Sequence, residues 1–523
     1  MCRSVFREHL YATLEAPDVR AFATEDPRAF LAQFPQGAIL DEVQRVPDLL
    51  SYLQGDIDAN PSPGRWILTG SQNLSLVESI SQSLAGRTAV YNLLPLTWNE
   101  TIRFPQHPVT LEQTLFAGSY PRIFDVVLDP ADWIRSYIAT YIERDVRMIS
   151  NVGDLVTFQR FITLCAGRTA QLLNYSVLAG DCGISQPTAK RWLSILEASF
   201  IVFRLPGFSS NLRKRLVKMP KLHFYDTGIV CSLLGIHTPE QLRAHPLRGA
   251  IFETWVVSEI FKHRANRSTT GRLSFYRDQN GAEVDLIVQD FPTIKLIEAK
   301  SATTPSSSLF TGVRRAHKHL QSLGPCPLVI VYGGDQLQRR KAGSLVPWQK
   351  LHELHFVTIR ADGQPIAEAN VLALFPNKTW KQAITDETGT AILDLHSALL
   401  PMTIFVAAAG FAAYSMRDFI PAQGTLDVHL NSLADGGAVI FSNAVGYLPG
   451  LEGRLNPIQD THDRTYLYAD NIAINGGLQQ PVQFALGEEL YLCDAEGKKA
   501  SVCIVDIVGP SALVEYQYVT DSR

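Results

Sequence analysis

Apolar residues fall into different rhythms along this chain. In the first 115 residues, short apolar runs at Ala38–Leu40 and Trp66–Thr69 are bounded by turn residues and alternate with helix-like segments. That is the pattern of strands buried in a parallel sheet. From 116 to about 240 the spacing turns helical, with Trp133, Tyr137, Ile138 and Tyr141 on one stripe. Residues 241–350 return to a mixed order of helix, hairpin, strand, helix and strand. From about 354 to the end, short alternating strands are separated by Gly, Asn, Asp and Pro turns, and this tail divides near Asn431. The pattern predicts a multidomain α/β protein followed by all-β segments at 354–430 and 431–523.

Composition narrows the class. The chain has 523 residues, 46% hydrophobic and 19% charged, which suits folded domains and argues against long disorder. The net charge of −4 gives no global field for nucleic acid, so any such contact must come from a local patch. The cysteines at 2, 165, 182, 231, 326, 493 and 503 are odd in number and form no C-x-x-C pair, which predicts reduced thiols and a cytoplasmic setting. No run of about 18 uncharged apolar residues is present, so no membrane span is expected. The apolar stretch Leu399–Ala413 contains Pro401 and Gly410 and reads as buried strands.

The first chemical motif is Ile39-Leu40-Asp41-Glu42, a strand ending in two acids. In a phosphate-loop ATPase such a pair serves magnesium and the attacking water. A second strand ends in Gly70-Ser71-Gln72-Asn73, where Asn73 would sense the terminal phosphate, and Arg87 follows in Leu84-Ala85-Gly86-Arg87. The ordered set, with Asp41-Glu42-Val43-Gln44-Arg45-Val46-Pro47 and Leu93-Leu94-Pro95-Leu96, resembles a bacterial and archaeal family of AAA-type ATPases that carry a C-terminal nuclease-like domain. The resemblance runs from about Arg7 to about Trp348. It implies ATP as the family cofactor, with Asp41, Glu42, Asn73 and Arg87 at the nucleotide. Family members open with a strand and a G-K-T loop; here only 38 residues precede Ile39 and none forms G-x-x-x-x-G-K-[ST]. Phosphate binding needs those backbone N–H groups and the lysine. The expectation is therefore a truncated ATPase core over 1–115 without ATP turnover; the alternative is that the true start lies upstream.

Within the helical region 116–240, Leu172–Leu196 reads as helix, turn, helix, the pattern of a winged helix. Leu173, Val177 and Leu178 are expected to face inward, Gly183 to make the turn and Ser185 to cap the second helix. Ile184, Thr188, Trp192, Ile195 and Leu196 form its buried stripe, leaving Gln186, Lys190, Arg191 and Ser194 outward, the register of a helix that enters a major groove. Downstream, Asn211–Lys221 holds Arg213, Lys214, Arg215, Lys218 and Lys221 without an acid. Lys190, Arg191, Arg213, Lys214 and Arg215 are the candidate DNA contacts.

The third constellation lies in 241–350. Ser274–Asp278, the turn Gln279-Asn280-Gly281 and Glu283–Val288 predict a hairpin. A further strand carries Glu298-Ala299-Lys300. Together they match D…E-x-K, the signature of the PD-(D/E)xK nuclease fold. Period-two alternation puts Glu298 and Lys300 on one face, and Asp285 can join them from the adjoining strand. Converging carboxylates favour a hard divalent ion, so Asp285 and Glu298 are the candidate Mg²⁺ ligands. Lys300 would position water or stabilise charge, and Glu253, on an upstream helix, completes the catalytic set. Arg314, Arg315, His317 and Lys318 on the following helix are read as a solvent face.

The tail resembles, over about 356–430, the small β-sandwich of carboxypeptidase regulatory and transthyretin-like modules, which implies a spacer or binding role. Residues 431–523 are expected to form a small β-barrel. Gly446–Arg454 is glycine-rich but lacks G-K-[ST], and His462, Asp463 and Arg464 read as a turn. Two function classes stand side by side: a Mg²⁺-dependent DNA phosphodiesterase, and a non-catalytic factor that binds DNA or, through the β-rich tail, a protein.

Overall fold

The structure is a computed structural model. It describes residues 1–70, 84–142, 155–208, 219–266, 271–278, 281–290, 293–320, 328–340, 342–351, 354–387, 389–394, 401–419 and 426–519. The architecture is mixed α/β with several sheets and a β-rich C-terminal region. The chain divides into two compact units: one made of 1–95, 116–204 and 222–238, the other of 96–115, 205–221 and 239–523.

The first unit holds a parallel sheet of β1 (Leu10–Thr13), β2 (Ala38–Asp41) and β3 (Ile67–Leu68), in that order. Helices α1 (Pro17–Glu25), α2 (Pro27–Ala32) and α3 (Leu49–Ala59) accompany it. Two of them begin with proline, which loses no hydrogen bond in the first turn, and Asp26 caps α2 by accepting from the Ala29 N–H at 3.0 Å. Leu14, Phe30, Leu40, Leu49 and Leu53 form the buried core.

The same unit carries α4 (Leu155–Ala166), β4 (Gln171–Leu172), α5 (Tyr175–Cys182), α6 (Gln186–Ala198), β5 (Val202–Leu205) as far as Arg204 and β6 (Lys221–Phe224) from Leu222 on, with β6 between β4 and β5; Leu205 and Lys221 belong to the second unit. Gly183 ends α5 in the left-handed region (φ 75°), where glycine carries no steric penalty. Ser185 then caps α6 by accepting from the Thr188 N–H at 3.2 Å. Trp192, Leu193, Ile195 and Leu196 are buried, while Gln186, Lys190, Arg191 and Ser194 are exposed. One expectation fails here: Val177 is exposed, because α5 buries Leu178, Ala179 and Cys182, the stripe one position over.

In the second unit, α7 (Arg248–Asn266) packs against a six-stranded sheet. Its strands are β7 (Arg272–Arg277), β8 (Glu283–Asp290), β9 (Thr293–Lys300), β10 (Leu328–Tyr332), β11 (Gln338–Arg340) and β12 (Gly343–Pro347), in the order β11-β12-β10-β9-β8-β7. The pairs β7–β8 and β8–β9 are antiparallel, and the pairs β9–β10 and β10–β12 are parallel. β10 is buried at every position, as a central strand covered on both sides should be. A buried pair inside this unit, Lys262 with Glu259 at 2.5 Å, also holds the incoming chain: Lys262 donates to the Leu96 carbonyl and Glu259 accepts from the Trp98 N–H.

Beyond residue 353, strands Leu354–Ala361, Gln364–Pro365, Thr390–Asp394 and Leu426–His429 make one sheet, and Asn370–Leu374, Trp380–Ile384, Met402–Ala407 and Tyr414–Phe419 make another. Val357, Ile359, Val371, Ala373, Ile404 and Val406 share one core between them, which makes a β-sandwich. The last segment differs from the expected barrel. Its strands form a three-stranded sheet and five strands of a six-stranded one, whose edge strand is Ala409–Phe411 from the preceding segment, around a common core of Phe441, Leu455, Leu467, Leu490, Val502 and Val514, and among the described residues no hydrogen-bonded ring closes. His462 and Asp463 sit in a turn organised by Asp460, which accepts from the His462 and Arg464 N–H groups.

Candidate functional site

The site grows from the antiparallel pairing of β8 with β9. That register sets Asp285 beside Glu298: the Asp285 N–H donates to Glu298 Oε2 at 3.3 Å, and the Ala299 N–H donates to Asp285 Oδ2 at 3.0 Å. Two residues further along β9, Lys300 places its Nζ 2.6 Å from Glu298 Oε1, as same-face alternation requires. α7 brings in Glu253. The four residues named from the sequence, Glu253, Asp285, Glu298 and Lys300, therefore belong to one cluster.

At its centre stands a residue the sequence placed elsewhere. Lys221, the first residue of β6, is buried, with its side chain 3% exposed. Its Nζ lies 2.6 Å from Glu253 Oε1, 2.6 Å from Glu283 Oε1 and 3.4 Å from Asp285 Oδ1. Phe275 covers it, with the ring centroid 5.6 Å away. It is not part of an exposed basic patch. A trace was present in the sequence: Lys221 opens a run of β-formers, Leu222 to Tyr225, and a lysine in a strand buried throughout must find partners. Glu283 was likewise read only as part of the hairpin.

The electrostatics follow. Burial disfavours the charged form of Lys221, but Glu253, Asp285 and Glu283 outweigh it and hold the ammonium above its usual range. Burial, reinforced by Asp285, pushes the Glu253 carboxyl well above the ordinary carboxylate range, against the pull of Lys221. Glu298 is pushed up to about 7, by burial first and Asp285 second, with Lys300 opposing. Lys300 is raised: burial pulls it down and Glu298 more than restores it.

These residues do not fit a divalent ion as they stand. Among the described residues no group of three or more His, Cys, Asp or Glu side chains is arranged to hold a metal. The space that three carboxylates share is taken by the Lys221 ammonium.

At the end of β2, Asp41 accepts from the Tyr11 hydroxyl at 2.7 Å and from the Thr69 hydroxyl. Glu42 adopts the left-handed conformation (φ 57°) and accepts from Gln44 Nε2 at 2.5 Å. Arg87 is turned to Asp58, 2.6 Å away. Asn73 lies outside the described residues, as do Arg213, Lys214 and Arg215.

Residues 1–102 match the family profile of an AAA domain, 109–240 that of a domain of unknown function (DUF8612) and 248–351 that of another (DUF4143). Two uncharacterized proteins, Mb2031c of Mycobacterium bovis and Rv2008c of Mycobacterium tuberculosis, are each 31% identical over 319 residues, covering 61% of this chain and 69% of theirs. The chain belongs to this AAA-type ATPase-like family.

A further relative of this AAA-type protein, the 3′ cyclic ADP-D-ribose synthase AaTIR of Aquimarina amphilecti, is 31% identical over 254 residues, covering 46% of this chain and 76% of that one. The three matched segments end at residue 351, so the acidic cluster from Glu253 to Lys300 falls inside the third. Among the described residues no helix is long and apolar enough to cross a membrane.

Proposed function

We propose that this AAA-type protein associates with nucleic acid through α6 and holds its target without cutting it. The observation that carries this is the outward face of α6. Lys190 and Arg191 stand exposed beside Gln186 and Ser194, while the opposite side buries Trp192, Ile195 and Leu196. A capped helix after a left-handed glycine turn supports the reading of a winged helix whose second helix would enter a major groove. The basic stretch with Arg213, Lys214 and Arg215 would add backbone contacts. The nuclease-like segment contributes its fold, with the acidic cluster neutralised from within. Asp41, with hydroxyl donors on both oxygens, is taken as a structural acid without ATP turnover. The β-sandwich tail then serves as a spacer or protein-binding module.

The test is fluorescence anisotropy with a labelled DNA duplex and full-length protein at several salt concentrations. Lys190→Ala with Arg191→Ala should weaken binding and flatten the log–log salt slope by about 2, since each phosphate contact contributes about 0.9. Equal affinity and slope in wild type and variant would remove α6 from the interface. Plasmid nicking dependent on Mg²⁺ and lost in Glu298→Ala would replace holding with cleavage.

A further inference from the structure

The three carboxylates around Lys221 converge on its ammonium. Glu253 comes from a helix, and Glu283 and Asp285 come from one strand at alternate positions. All turn an oxygen toward one point, with distances of 2.6, 2.6 and 3.4 Å. Unscreened acids at this spacing repel one another and need a positive charge among them. That charge is supplied covalently. From these contacts we infer that Lys221 is a resident cation: its ammonium occupies the position a divalent ion would need, and its presence keeps the cluster metal-free. This deepens the proposed reading of a protein that holds without cutting, and no DNA contact enters the argument.

Several features agree. Lys221 is fixed at the backbone by β6, so its ammonium is delivered by a strand and not by a floppy loop. The Phe275 ring lies over it, and its side chain is almost wholly sealed. Lys300, by contrast, has a side chain 36% exposed and pairs with Glu298 at 2.6 Å. The two lysines thus divide the work: Lys300 pairs at the mouth, and Lys221 neutralises the interior. An ammonium donates three hydrogen bonds and accepts none. Lys221 donates to Glu253 and Asp285 and forms an ion pair with Glu283. A divalent ion could enter only if this side chain left.

The experiment uses the full chain and Mn²⁺ alone as the probe, with titration calorimetry to count binding and thermal unfolding to register it. Wild type should show no Mn²⁺ uptake that depends on Glu253. Lys221→Ala should bind one Mn²⁺ at least about tenfold tighter than wild type, equivalent to about 1.4 kcal/mol. Its unfolding temperature should rise with added Mn²⁺, and Lys221→Ala/Glu253→Gln should lose the gain. Two results would overturn the inference: Mn²⁺ bound by wild type and lost in Glu253→Gln, or a folded Lys221→Ala that gains no Mn²⁺. If Lys221→Ala fails to fold, the wild-type and Glu253→Gln titrations decide: uptake that depends on Glu253 overturns the inference, and its absence supports it. The DNA measurement with Lys190→Ala and Arg191→Ala is separate, so loss of the DNA contact leaves this inference standing.

Discussion

Replacing Lys221 with methionine isolates what its charge does. Methionine keeps the length and most of the volume of the stem but brings no ammonium. Glu253, Glu283 and Asp285 would then face one another without a cation, in a place where Lys221 is buried to 3% of its side-chain surface. Removing one partner of a buried pair costs about 3–5 kcal/mol. For a domain of 150–250 residues each kcal/mol moves the unfolding midpoint by about 2–4 °C, so a fall of roughly 10 °C is expected. Trp98, Trp255 and Trp348 lie together in this unit, with ring centroids 4.7 and 5.7 Å apart, and give a fluorescence signal for its unfolding.

The pH dependence separates charge from packing. In Lys221→Met the orphaned carboxyls escape their repulsion by taking up protons. The folded form then binds more protons than the unfolded one, so stability falls as pH rises. Holding a proton on a carboxyl costs about 1.4 kcal/mol more for each pH unit above its ordinary range, and almost nothing near that range. The loss caused by the substitution should therefore be small at pH 5 and large at pH 8. Adding Glu253→Gln should recover part of the loss at pH 8. A loss of equal size at both pH values would mean that Lys221 acts only by filling space, and the electrostatic account would fail.

Other outcomes follow from the same geometry. Glu298, raised to about 7, should make Glu298→Gln more stable than wild type at pH 8. A carboxyl whose folded pKa lies above its unfolded value loses stability as pH rises from about 4.5 to about 7, so the gain should approach 2–3 kcal/mol at pH 8 and vanish near pH 4, checked by urea unfolding at both. Lys262→Met strands Glu259, whose partner group is 1% exposed, and should cost about 3–5 kcal/mol and release Leu96 and Trp98, seen as faster proteolysis near residue 97.

What the sequence disclosed, and what it hid, divides along one physical line. Local pattern specifies local geometry: the apolar runs gave β2 and β3, Gly183 and Ser185 gave the α5–α6 turn, and period-two alternation put Glu298 and Lys300 on one face. Val177 failed because helical period admits neighbouring stripes, and only packing chooses between them. Lys221 failed for a deeper reason. Its partners Glu253, Glu283 and Asp285 are 32, 62 and 64 residues away, and nothing in a lysine's immediate neighbours reports such contacts. What could have been noticed is a conflict. The strand Lys221–Phe224 has the composition of a buried element, and a charge there is admissible only with counter-charges. The acids Glu253, Glu283 and Asp285, gathered where the sequence suggested an external Mg²⁺, pose the opposite problem in the same fold. Each half of that imbalance is costly alone, and their mutual neutralisation is the arrangement that removes both costs without an external ion.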